Sequence, residues 1–200
     1  MDVQRVNQTI SYYNNNAEEY YENTKNVDFS DTYARFLKYI PEGGKIADLG
    51  CGSGRDTAHF SSKGYQAFGV DASEELATIA TRNAGIKVIV SDMSTWQADE
   101  PLDGIWCCAS LLHLNDDEIT TFFNNIPINL KPDGAMFLSV KIGEKTGIDD
   151  KGRYVKYFSI GEIESLIKEA ELVICDEWFS SDKIGRAETK WINIISKKRI

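Results

Sequence analysis

Histidine is nearly missing from these 200 residues: there are two, His59 and His113, beside four cysteines, Cys51, Cys107, Cys108 and Cys175. No two cysteines form a C-x-x-C pair, so no metal is expected and all four read as reduced packing residues. Adjacent in a strand-like stretch, Cys107 and Cys108 are expected to point to opposite faces. No apolar run reaches the ~18 residues of a membrane span. The N-terminus, MDVQRVNQTISYYNNN, has no apolar signal core, so the expected location is cytoplasmic. Basic charge is in deficit, with 22 Lys and Arg against 31 Asp and Glu, for a formal net charge of −9. A broad phosphate-binding surface is therefore excluded and nucleic acid is not an expected partner. Lys197, Lys198 and Arg199 form the basic cluster and read as a solvated tail. The sequence does not set the oligomeric state.

What the chain has is a glycine loop. Lys45 to Asp56 read KIADLGCGSGRD: an apolar run, then Gly50, Gly52 and Gly54, then a helix-compatible segment. Glycines let the backbone take positive φ and let a ligand approach the main chain closely. The following helix N-terminus offers unpaired N–H groups to a polar ligand. The dinucleotide fingerprint has its third glycine one place later, where this chain has Arg55. Asp48, two residues before the first glycine, suits a cationic ligand. The plain alternative is a tight strand-to-helix turn.

Strand and helix patterns alternate along the chain. Residues 1–40 are polar and tyrosine-rich, with helical stretches at Ala17 to Tyr21 and Asp31 to Tyr39, and Pro41, Gly43 and Gly44 mark a break. Strands are expected at Lys45 to Leu49, Gln66 to Val70, Ile86 to Val90, Gly104 to Ala109 and Ala135 to Val140, the last after a Pro132-Asp133-Gly134 turn. Helices are expected at Arg55 to Lys63, at Glu74 to Asn83 behind Ser73, behind Asn115, and from Ser159 through Ala170. Two strands, Leu172 to Phe179 and Glu188 to Ser196, close the chain. Their short connection requires antiparallel pairing. The implied fold is α/β, a Rossmann-like doubly wound seven-stranded sheet, mostly parallel with a C-terminal antiparallel strand. One domain is expected over 1–200, with 1–40 a helical cap or lid and 41–200 the core.

Three acids fall at strand ends: Asp48, Asp71 in GVDAS and Asp92 in VIVSDM. Ligands of open α/β sheets bind outside those ends. An acid after the second strand can accept both hydroxyls of a ribose, and one after the third can accept an adenine amino group with Met93 over the ring. DLGCGSG, GVDAS, SDM, the strand and loop DGIWCCASLLHL, and the KPDG turn, in this order, resemble the motifs of class I S-adenosylmethionine-dependent methyltransferases. The resemblance spans about residues 40–196 and includes the terminal antiparallel pair. Within that class the chain is similar to small bacterial enzymes of the tellurite-resistance and small-molecule-methylating kind.

The resemblance implies S-adenosyl-L-methionine as cofactor and S-adenosyl-L-homocysteine as product. It implies Asp48, Gly50, Cys51, Gly52 and Gly54 around the methionine moiety, Asp71 on the ribose, Ala72, Ser73, Asp92 and Met93 near the adenine, and Ser110 and Leu111 where cofactor and acceptor meet. It also implies that Tyr12 and Tyr20 belong to an N-terminal lid, an aromatic face suiting a sulfonium cation; packing of a helix onto the core is the other reading. Methyl transfer needs alignment and exclusion of water, and a base only for a protonated nucleophile. His113 is the candidate base with Ser110 beside it, a backbone-bonded structural histidine being the alternative. His59, mid-helix, reads as packing or surface. In the irregular segment 141–157, Arg153 and Tyr154 are candidate substrate contacts. The expected function is transfer to a small-molecule acceptor. The alternatives are an RNA or protein methyltransferase, a non-catalytic cofactor-binding protein and, last, a nicotinamide oxidoreductase.

Overall fold

The computed structural model describes residues 3–183 and 189–199. Helices α1 (Val3–Asn15), α2 (Ala17–Thr24) and α3 (Ser30–Leu37) precede the sheet. There follow β1 (Lys45–Leu49), α4 (Arg55–Ser62), β2 (Gln66–Asp71), α5 (Glu74–Ala84), β3 (Val88–Val90), β4 (Leu102–Cys108) and α6 (Asp116–Asn129). Then come β5 (Leu130–Ile142), a small hairpin of β6 (Thr146–Ile148) and β7 (Tyr154–Lys156), α7 (Ile160–Glu169), β8 (Leu172–Ser181) and β9 (Lys190–Lys198).

The seven strands run in the order β3-β2-β1-β4-β5-β9-β8. The first five are parallel and β9 is antiparallel to both its neighbours. The strand order switches between β1 and β4, which places the crevice of a doubly wound sheet at their carboxyl ends. The expected seven-stranded sheet and its antiparallel closure are thus present. The last strand is described from Lys190, and its expected start, Glu188, lies outside the described residues.

Local chemistry explains the boundaries. Ser73 caps α5 by accepting the Leu76 N–H. Asn115 and Glu118 form a reciprocal capping box at α6. Ser159 accepts the Glu162 N–H at α7. The Pro132-Asp133-Gly134 turn survives as a bulge inside a longer β5: pairing jumps from Leu102↔Leu130 to Gly104↔Ala135, and Asp133 takes φ 63°. Two elements go beyond the sequence reading. One is α1, whose Asn, Thr and Val content is poor in helix formers. The other is the β6–β7 hairpin in the stretch read as irregular.

Apolar layers cover both faces of the sheet. On one, Ile119, Phe122 and Ile126 of α6 and Ile163 and Ile167 of α7 pack on Leu49, Ile105, Cys107 and Leu138. On the other, Phe36 of α3 and Phe60 of α4 surround Trp106 and Phe137, whose rings stack 3.9 Å apart. Cys107 joins the first layer and Cys108 packs against the second, so the pair does point to opposite faces. All four cysteines are free. Among the described residues no helix is long and apolar enough to cross a membrane, and no cluster of side chains is arranged for a metal ion.

Candidate active site

The glycine loop is shaped by what would collide with it. Gly50 has φ 73°, and a Cβ there would lie 2.2 Å from Ser110 Cβ; Gly52 has φ 55°, and its Cβ would lie 3.0 Å from the Tyr20 ring. Both positions need a left-handed backbone and the absence of a side chain. Gly54 has a different task. It is the N-cap of α4, and a Cβ would meet Ile86 at 2.4 Å and Ala80 at 2.8 Å, so it lets α4 and α5 approach.

Asp71 ties the loop to the end of β2. Its Oδ2 accepts the Gly52 N–H at 2.8 Å and its Oδ1 the Ser73 N–H at 2.9 Å. Burial raises its carboxyl above the ordinary value, against the lowering pull of those backbone bonds. Asp92 Oδ1 accepts the Ser94 N–H and hydroxyl, each at 2.8 Å.

These groups bound a cavity of about 140 Å³, lined by Gly50, Gly52, Asp71, Ala72, Ser73, Asp92, Met93 and Ser110 on the sheet side. Its opposite wall is α1, through Val6, Thr9, Ile10 and Tyr13, with Tyr20 of α2 beside it. The helix is fastened there. Arg5 pairs with buried Glu118 and donates to the His113 carbonyl at 2.9 Å. Ser73 Oγ donates to Asn14 at 2.6 Å.

Other expected site residues lie elsewhere. Asp48 is 2% exposed, accepts the Thr57 hydroxyl at 2.7 Å and lies off the cavity; burial, reinforced by the Asp56 charge, holds its carboxyl well above the carboxylate range. The Cys51 side chain sits over Gly69, its thiol pushed up by burial. Leu111 is fully buried in the core. Tyr12 faces outward, with the Arg153 guanidinium 5.1 Å from its ring centre. The Tyr154 ring lies under Arg5 at 4.4 Å, and its backbone serves the site. Ser110 lines the cavity, but its one proton goes to the Leu49 carbonyl at 2.7 Å, so its hydroxyl has none to give to a ligand. His59 stacks on Tyr33, ring centres 4.0 Å apart.

Tyr13, not singled out in the sequence, is the centre of the polar network. Its hydroxyl lies 2.8 Å from His113 Nε2, and His113 Nδ1 lies 2.6 Å from the Tyr154 carbonyl. A carbonyl only accepts, so Nδ1 carries the proton and Tyr13 donates to Nε2. Arg153 Nη1 donates to the same hydroxyl at 3.3 Å while its other nitrogens bind Asp149. Burial brings the His113 pKa down to about 4, with the Tyr154 carbonyl pulling the other way and Arg153 and Lys141 adding to the fall. The imidazole is therefore neutral near pH 7.

Tyr13, Tyr20, Cys108, Ala109 and His113 also line a second, larger cavity of about 340 Å³. Its far walls come from segments distant in sequence: Phe29 and Arg35, Lys141, Trp178, Trp191 and Asn193. The sequence reading singled out none of these side chains; Arg153, which it did single out, lines the same cavity.

Comparison with known proteins agrees with this geometry. A family profile described as a methyltransferase domain matches residues 46–134. The methyltransferase-type protein YqeM of Bacillus subtilis is 32% identical over 120 residues, covering 54% of this chain; the chain spans about half (48%) of that relative's length. The 1,6-didemethyltoxoflavin-N1-methyltransferase of Burkholderia thailandensis, solved with its acceptor and S-adenosylhomocysteine, superposes with a TM-score of 0.76 at 21% identity, covering 96% of this chain and 85% of that one. A TehB-like methyltransferase of Corynebacterium glutamicum gives 0.72 at 19% identity, covering 92% and 98%. The cofactor of such proteins is S-adenosylmethionine. The cavity here offers what that molecule requires: a backbone cradle without side chains, a buried carboxylate at the end of β2 and aromatic rings beside a cationic centre. By motif order, sheet topology and the methyltransferase-domain match over residues 46–134, the chain is similar to the class I S-adenosylmethionine-dependent methyltransferases.

Proposed function

We propose that the protein transfers a methyl group from S-adenosylmethionine to a small-molecule acceptor by in-line displacement. The carrying observation is that two cavities meet at one layer of side chains, Tyr13, Ala109 and His113 among them. The smaller suits the cofactor and the larger the acceptor. The volume of the second cavity, about 340 Å³, and the net charge of −9 favour a small molecule over nucleic acid. The four free cysteines fit a reducing, cytoplasmic location.

Bound in the smaller cavity, the cofactor supplies an electrophilic methyl group on a sulfonium sulfur. Asp71 would hold the ribose hydroxyls, Asp92 would accept from the adenine amino group, and Gly50 and Gly52 would give main-chain room to the methionine portion. Helix α1 excludes water from above. An acceptor hydroxyl or amine passes its proton to the Tyr13 oxygen as Tyr13 passes its own to His113 Nε2; Arg153 steadies the hydroxyl between them. Ser110 donates its proton to the Leu49 carbonyl, which joins the ends of β1 and β4, and relays none.

Thermal stability tests the first half of this reading. S-adenosylhomocysteine at 100 times its Kd should add about 2.7 kcal/mol to the wild type. Asp71→Asn should weaken its Kd 10- to 100-fold, the worth of roughly 1.5–3 kcal/mol for a charged hydrogen bond. Stabilisation by NAD alone, or by neither, defeats the proposal.

A further inference from the structure

Resting on the methyl-transfer reading, we propose that the larger cavity takes a flat anionic acceptor, an aromatic or heteroaromatic carboxylate bearing the hydroxyl or amine to be methylated. The cavity inverts the charge of the molecule around it. In a chain of net charge −9, Arg35, Arg55, Lys141, Arg153 and Lys183 line it against two carboxylates, Asp31 and Asp182. Asp31 is exposed, and Asp182 accepts from Trp191 Nε1 at 3.2 Å.

Three of the cations sit over aromatic rings. The Arg55 guanidinium is 4.3 Å from the Phe29 ring centre, that of Arg35 4.4 Å from Trp178, and the Lys141 ammonium 5.6 Å from Trp191. Stacking leaves a guanidinium's N–H edge available for a carboxylate. Balancing carboxylates stand away from the cavity. Asp56 takes Arg55 Nε at 2.6 Å and Nη2 at 3.0 Å, and it also accepts Tyr33 and Trp106, so it is spent. Lys141 is 6% exposed and carries its ammonium to the cavity wall from inside the fold. Between these edges the wall is indole and phenyl surface, which a planar ring covers better than a flexible chain.

The experiment is calorimetric titration of the S-adenosylhomocysteine complex with 4-hydroxybenzoate, 3,4-dihydroxybenzoate and 2-aminobenzoate, each against its neutral amide. The carboxylates should bind at least tenfold tighter than the amides. Lys141→Gln and, at a more exposed position, Arg35→Gln should each erode that preference and leave S-adenosylhomocysteine affinity unchanged. Equal binding of acids and amides, or no binding of either by a protein that holds S-adenosylhomocysteine, overturns the anionic acceptor. Failure to bind S-adenosylhomocysteine overturns the methyl-transfer reading instead.

Discussion

The two cavities are built in opposite ways. The cofactor side is made of backbone and short side chains at the ends of four adjacent strands, each within a few residues of a glycine, an Asp or a Ser. The proposed acceptor side is made of long side chains, Arg35, Lys141, Arg153, Trp178 and Trp191, brought together from both ends of the chain. The first kind of site is rigid because the sheet's hydrogen bonds fix it. The second depends on how several separate elements pack, and its shape changes with any one of them. A fold that keeps the first and varies the second holds one cofactor and serves many acceptors.

Substitutions can break this contrast. The largest effect is expected from Gly50→Ala. Its Cβ would fall 2.2 Å from Ser110 on a left-handed backbone, so cofactor affinity should drop at least about 100-fold with a clear loss of melting temperature. A tolerated alanine, seen as unchanged binding in calorimetry, would show that the strand ends are not fixed as described.

Next comes Tyr13→Phe, which removes the hydroxyl bridging Arg153 and His113. It should lower kcat about 100-fold for an acceptor with a protonated nucleophile and leave cofactor Kd within twofold. Tyr12→Phe, one residue away on the outward face, should change neither. Equal effects of the two would dissolve the assignment of the polar network.

The smallest effect is on stability against pH. The His113 pKa is about 4 in the folded protein and ~6.5 unfolded, so its contribution is complete above pH 6.5 and is lost as pH falls towards 4. Between pH 7 and pH 5 that amounts to about 2 kcal/mol. Buried Asp71, with its raised pKa, tilts the other way: its burden is present at neutral pH and is relieved in acid. Urea unfolding at the two pH values should show the acid loss in the wild type and a smaller one in His113→Gln. An identical loss in both would place the acid sensitivity elsewhere.

Sequence legibility follows the same divide. Asp71, Asp92 and the glycine loop could be read because each sits beside the turn it helps to make. The sheet was readable because apolar runs alternate with capped helices, Ser73 and Asn115 marking the starts. Gly54 and Asp48 were read as ligand contacts, yet one serves helix packing and the other a buried bond to Thr57, since a motif does not reveal which side of the loop faces the cavity. Tyr13 was passed over for Tyr12 because α1 was not recognised as a helix, and on a helix one residue turns a side chain by about 100°. Trp178 and Trp191 looked like ordinary strand residues; the β8–β9 pairing brings them to the larger cavity.

The position of α1 has a kinetic consequence. A roof bolted on by Arg5 and Glu118 and latched by Asn14 and Tyr13 links occupancy of the cavity to the fastening of the helix. On the proposed function, a ligand that contacts the helix and the sheet together should slow the opening of these bonds, and the release of spent cofactor should quicken when they are cut.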